Sequence, residues 1–75
     1  MVDDEILKAI DALQDEFRET LILSDLEGLS YAEIGEITNV PIGTVKSRLF
    51  RARQALQRVL RDYAIEMGYI RRSGQ

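Results

Sequence analysis

Apolar residues recur at helical spacing along most of the chain, and the pattern predicts four helices. The first spans about Asp4 to Leu13, with Ile6, Ile10 and Leu13 on one face. Asp3 or Asp4 caps it, and acids in its first turn complement the positive end of the helix dipole. The second spans about Asp15 to Leu26 and offers Phe17, Leu21, Ile22 and Leu26 for burial. Gly28 then supplies a left-handed cap. The third opens on a capping box, in which the Ser30 hydroxyl meets the Glu33 amide and Glu33 reaches back to the Ser30 amide. Leu29 is placed to staple against Ile34. This helix ends near Ile37 or Thr38, where Asn39 tolerates the left-handed backbone of a tight turn. Val40 precedes a proline and is pushed towards an extended conformation, and Pro41 suits the first position of the next helix. The fourth helix starts there and reaches at least Tyr63, with Val45, Leu49, Ala52, Leu56 and then Val59 or Leu60 as its apolar stripe. Gly68 is its stop. The pattern therefore gives an all-α, four-helix domain over residues 1–67 with a long C-terminal helix, and a flexible tail over residues 68–75.

Two short helices joined by a tight turn make a helix-turn-helix, and three positions fit that geometry. Gly35 stands where the helices cross and a small residue is needed, Asn39 lies in the turn, and Val45 plugs the core from the second helix. Glycine at 35 costs its helix up to ~1 kcal/mol relative to alanine, so close backbone packing explains its presence. The competing reading is an ordinary helical hairpin with no role in DNA binding.

Composition narrows the function. The chain has 75 residues, enough for one compact domain, and its 45% hydrophobic and 31% charged content reads as globular. No apolar run approaches the roughly 20 residues of a membrane span, and the acidic N-terminus does not read as a signal peptide. Neither cysteine nor histidine is present, which removes disulfides, the usual nucleophile–base pairs and most transition-metal sites. The carboxylates are spread over helix surfaces, so the expectation is a non-enzymatic chain without cofactor, metal or small-molecule substrate, in a reducing, intracellular setting.

A net charge of −3 looks unfavourable for a nucleic-acid binder, but its distribution changes the picture. Met1 to Pro41 holds two cations against eleven acids, a net of −9, whereas Ile42 to Gln75 holds eight cations against two acids, a net of +6. Such a charge dipole can meet phosphate with its basic half and turn its acidic half away or towards a basic partner.

With Val45, Leu49 and Ala52 buried, the patch Lys46, Ser47, Phe50 and Arg51 projects near the start of the fourth helix, the end that enters the major groove in helix-turn-helix proteins. Lys46 and Arg51 can donate to guanine edges, and Ser47 can donate or accept. Phe50 either packs on a thymine methyl or a sugar, or belongs to a wider apolar core face; periodicity leaves both open. Thr44, Arg48 and Arg53 flank the patch and suit phosphate. Isolated arginines often belong to a solvated face, but four basic residues stand between Lys46 and Arg53 with no acid among them.

The stretch Leu26-Glu27-Gly28-Leu29-Ser30-Tyr31-Ala32-Glu33-Ile34, followed by Pro41-Ile42-Gly43-Thr44-Val45-Lys46-Ser47-Arg48-Leu49-Phe50-Arg51-Ala52-Arg53, closely resembles region four of bacterial RNA polymerase sigma factors. The nearest group is the extracytoplasmic-function sigma factors; Phe17-Arg18-Glu19-Thr20-Leu21 also fits, and the resemblance extends to about Leu60. It implies a bacterial, cytoplasmic domain that reads the upstream, minus-thirty-five promoter element in double-stranded DNA. It places Lys46, Ser47, Phe50 and Arg51 on the family's base- and backbone-reading positions. It also implies docking on the flap of the polymerase β subunit and, in many relatives, inhibition by an anti-sigma factor. Gly35 stands where alanine is usual, and Asn39 where glycine is usual. No module for melting the downstream promoter element is present, so the chain looks like an isolated C-terminal domain. Two alternatives carry different expectations: a LuxR-like effector domain, which often dimerises through a further helix, and a module whose main partner is an anti-sigma factor.

Overall fold

The computed structural model describes residues 4–66. Within them the chain forms α1 (Asp4–Asp11), α2 (Asp15–Leu21), a π-helical turn (Ile22–Leu26), α3 (Tyr31–Thr38) and α4 (Ile42–Glu66), with no strand among the described residues. The all-α, four-helix expectation holds. Asp3, Gly68 and the tail over residues 68–75 lie outside the described residues.

The first helix is shorter than the pattern predicts. It stops at Asp11, and the Leu13 amide donates to the Ile10 carbonyl, three residues back, at 3.1 Å, which tightens the exit. Arg18 then occupies the open helix end: its guanidinium donates to the Asp11 and Leu13 carbonyl oxygens, both at 3.0 Å, and to the Asp15 carboxylate at 2.6 Å. These contacts satisfy carbonyls that a helix terminus leaves without partners.

The second helix also departs from a simple α-helix. After Leu21 its ladder widens, so the Glu27 amide donates to the Ile22 carbonyl at 3.0 Å, five residues back. The wider turn rotates the end of the segment, and Leu26, expected in the core, is 64% exposed. Thr20 is buried instead; its hydroxyl donates to the Glu16 carbonyl at 2.8 Å and so loses no hydrogen bond on leaving water. Gly28 takes the positive φ of +71° expected of it, while the Leu29 amide reaches back to the Leu23 carbonyl at 3.0 Å.

The capping box forms as the sequence predicts. The Glu33 amide donates to Ser30 Oγ at 3.1 Å, and the Ser30 amide donates to Glu33 Oε1 at 2.9 Å. α3 ends at Thr38, and Asn39 adopts the left-handed conformation, with φ 60° and ψ 46°. Pro41 stands one residue before α4 rather than inside it, and its carbonyl accepts from the Thr44 and Val45 amides at 3.0 and 3.1 Å. That position still suits proline, because it leaves the first helical hydrogen bonds intact.

α4 is the spine: α1, α2 and α3 all pack against it. Leu21, Leu49 and Ala52 are buried together, with Ile10, Leu13, Phe17, Tyr31 and Leu56 packed around them. Ile34 and Val45 are fully buried where α3 crosses α4. The stripe continues through Leu60, which is partly covered, and not Val59, which is exposed. Ala9 joins the buried set, although the apolar pattern of the first helix had placed only Ile6, Ile10 and Leu13 on its inner face.

Candidate nucleic-acid interface

The turn between α3 and α4 sets where the surface of α4 points. Gly35 is buried against it: a Cβ built there would lie 2.9 Å from the Val40 carbonyl oxygen and 3.8 Å from Val45 Cγ2. The Val40 amide donates back to the Gly35 carbonyl at 3.0 Å. Glycine therefore lets the turn close directly on α3, and Val45 fills the space beneath. With Val45, Leu49 and Ala52 turned inwards, the opposite side of α4 is left to solvent.

That outer side gathers the residues proposed from sequence. Lys46, Ser47, Phe50 and Arg51 are all exposed in the first half of α4. Lys46 and Phe50 lie four residues apart on one flank, Ser47 and Arg51 on the other, and the patch spans about 7.5 Å along the helix axis. Phe50 is 63% exposed, which removes it from the core. Its ring stands in water on the same face as Lys46, Ser47 and Arg51. Thr44 and Arg48 are half-buried at the edge of this face.

Arg53 has a partner that sequence reasoning missed. Its Nη2 donates to Asp25 Oδ1 at 2.6 Å and its Nε donates to Asp25 Oδ2 at 3.2 Å. The fork joins α4 to the π-helical turn across 28 positions of sequence. Ser24 Oγ donates to the same carboxylate at 3.1 Å. The Arg53 bond holds the Asp25 carboxyl below the usual carboxylate range against the opposing effect of partial burial, and the Ser24 bond helps. In turn, Asp25 raises the Arg53 guanidinium further above its ordinary value. Tyr31 lies beside them: Tyr31, Lys46, Phe50 and Arg53 line one shallow cleft on the flank of the exposed face. No local pattern marks Asp25 for this role, since its partner is set by how the turn packs on α4.

Among the described residues no helix is long and apolar enough to cross a membrane, and no group of acidic side chains is arranged to hold a metal ion.

The profile of the family described as Sigma-70, region 4 matches residues 3–56. The chain belongs to this family. Its relatives include the ECF RNA polymerase sigma factor SigE of Mycolicibacterium smegmatis, 48% identical over 58 residues, which cover 77% of this chain and 23% of that protein. The ECF RNA polymerase sigma factor SigW of Bacillus subtilis is 50% identical over 50 residues, 67% of this chain and 27% of that protein. The ECF RNA polymerase sigma-E factor of Escherichia coli K12 is 45% identical over 51 residues, 68% of this chain and 27% of that protein. The chain spans about a quarter of the length of these curated relatives. The region 4 match takes in α1 to α3 and the first half of α4, and so includes every residue of the exposed patch. The rest of α4, where Arg58 and Arg61 are balanced by Asp62 and Glu66, lies beyond it.

Proposed function

We propose that this region 4 domain binds the upstream, minus-thirty-five promoter element as part of a sigma factor that directs RNA polymerase to start transcription. The observation that carries the reading is the exposed patch of Lys46, Ser47, Phe50 and Arg51, presented by the first turns of α4 immediately after the helix-turn-helix turn. Those four residues read bases: Lys46 and Arg51 donate to guanine O6 and N7, Ser47 donates or accepts, and Phe50 packs on a thymine methyl or a sugar. Thr44 and Arg48 hold the flanking phosphates. Arg53, a third phosphate contact in the sequence reading, starts from its pair with Asp25 and has to leave that pair to reach DNA. The domain acts by binding, without chemistry of its own, in the bacterial cytoplasm.

Polymerase core, through its β flap, is the proposed partner, and an anti-sigma factor is the proposed inhibitor; the support is that the relatives are RNA polymerase sigma factors. One recognition helix with few phosphate contacts is too little for tight binding alone, and a −9 first half adds repulsion from the duplex. Tethering to polymerase supplies the remaining affinity by raising the effective concentration at the promoter. The test is selection of bound sequences from random duplex DNA, followed by titration of the selected site at physiological salt with and without polymerase. Weak binding by the free chain, strengthened by polymerase, supports the proposal. Binding at about nanomolar strength without polymerase would favour a self-sufficient regulator of the LuxR-like kind.

A further inference from the structure

We propose that the Asp25–Arg53 pair is a positioning device that sets the rotation of α4 and so aims Lys46, Ser47, Phe50 and Arg51 at the base edges. The inference rests on the promoter-binding reading; it adds Asp25 to that reading and gives Arg53 a positioning role within the pair in place of a phosphate contact. The pair joins elements that are far apart in the chain: Asp25 belongs to the π-helical turn, whereas Arg53 follows Phe50 by one turn of α4. Its two-pronged geometry matters, because a guanidinium fork on a carboxylate restricts orientation as well as distance. Asp25 is itself oriented by the Ser24 hydroxyl, and the widened turn that exposes Leu26 is the segment that turns Asp25 towards α4.

Rotation is the sensitive coordinate for this site. Turning α4 by roughly 20° moves a side-chain tip about 6 Å from the axis by about 2 Å, more than a base hydrogen bond tolerates. The buried stripe of Val45, Leu49 and Ala52 resists gross rotation, but its apolar contacts carry no directional bond. The fork supplies the direction. Partly exposed ion pairs add little to bulk stability, so orientation is the effect that this pair is placed to provide.

The test uses the full 75-residue chain and its Asp25→Ala, Arg53→Ala, Arg53→Lys and double-alanine variants. Each is titrated with the selected duplex at several salt concentrations, at a temperature where circular dichroism shows it folded. Amide chemical shifts of residues 46–51 are recorded without DNA. Each single alanine variant should weaken specific binding about fivefold, and the double variant no more than either single one. The salt slope should stay unchanged. Arg53→Lys should bind as weakly as Arg53→Ala, because a lone ammonium keeps the charge and loses the fork. The amides of residues 46–51 should shift together in all the variants. Weakening by Asp25→Ala is a demanding outcome, since removing an acid by itself favours DNA. If Asp25→Ala tightens binding, and Arg53→Ala lowers the salt slope by about 0.9 with rescue by lysine, Arg53 is a phosphate contact and the proposal is overturned. Amide shifts confined to the neighbours of residues 25 and 53 overturn it too. If the parent chain binds no duplex, the promoter reading falls, while the amide shifts still decide whether the pair orients α4.

Discussion

Replacing Gly35 by alanine sets two local effects against each other. In a free helix alanine is better than glycine by about 0.8–1.0 kcal/mol. In this fold the new methyl would sit 2.9 Å from the Val40 carbonyl oxygen, about 0.5 Å inside ordinary van der Waals contact. The oxygen belongs to backbone, so it cannot swing away as a flexible side chain would. Its freedom is further reduced on both sides, by Asn39 in the left-handed conformation and by the Val40 amide bonded to the Gly35 carbonyl. Overpacking at such a site costs about 1–3 kcal/mol, so the clash outweighs the gain by about 1 kcal/mol near the middle of that range. For a domain of this size, such a loss lowers the melting temperature by about 4–8 °C. Thermal and urea unfolding followed by circular dichroism measure it. The usual residues of the resembled family, alanine at 35 with glycine at 39, suggest the compensation. Gly35→Ala combined with Asn39→Gly should recover part of the loss, because a glycine turn can yield where Asn39 holds. A Gly35→Ala variant that melts higher than the parent would refute the argument, and would mean that the turn moves freely.

Three further outcomes follow from the same geometry. Arg51→Ala should cost about 1–3 kcal/mol at one base position of the selected site and little elsewhere, as read by affinity for every single-base variant; uniform weakening would reassign it to phosphate. Arg48→Ala should weaken all duplexes alike and reduce the salt slope by about 0.9, and an altered base preference with an unchanged slope would place it on the base-reading face. The Glu33 carboxyl is held below the usual glutamate range, first by the Ser30 amide and then by the Ser30 hydroxyl. A depressed folded-state value means that its contribution is present above the unfolded value and is lost as pH falls through the folded one. Stability should therefore fall as pH drops through and below the ordinary carboxylate range, and Glu33→Gln, which removes the titrating group but keeps an acceptor for the Ser30 amide, should flatten that dependence; an unchanged pH profile would count against the box.

Much of the fold is legible in the chain because it rests on short-range chemistry. The box of Ser30 and Glu33 closes over three residues, the left-handed turns at Gly28 and Asn39 follow from what each residue tolerates, and the stripe of Val45, Leu49 and Ala52 is a property of helical spacing alone. The exposed patch follows from that stripe, since burying one face of α4 presents the other. Periodicity could not place Phe50, because a wide apolar face and a narrow one predict the same spacing; only the packed helices leave its ring in water. The widened turn at Ile22–Leu26 was hidden for a related reason. A ladder slips from four residues to five according to what the turn must pack against, and nothing within the segment records that. With the slip go the exposure of Leu26, the burial of Thr20 and the meeting of Asp25 with Arg53. Local residue chemistry thus determined the caps, the turns and the outward face of α4, while tertiary packing decided the helix rotation and the one long-range ion pair found among the described residues, because both depend on elements distant in sequence coming into contact.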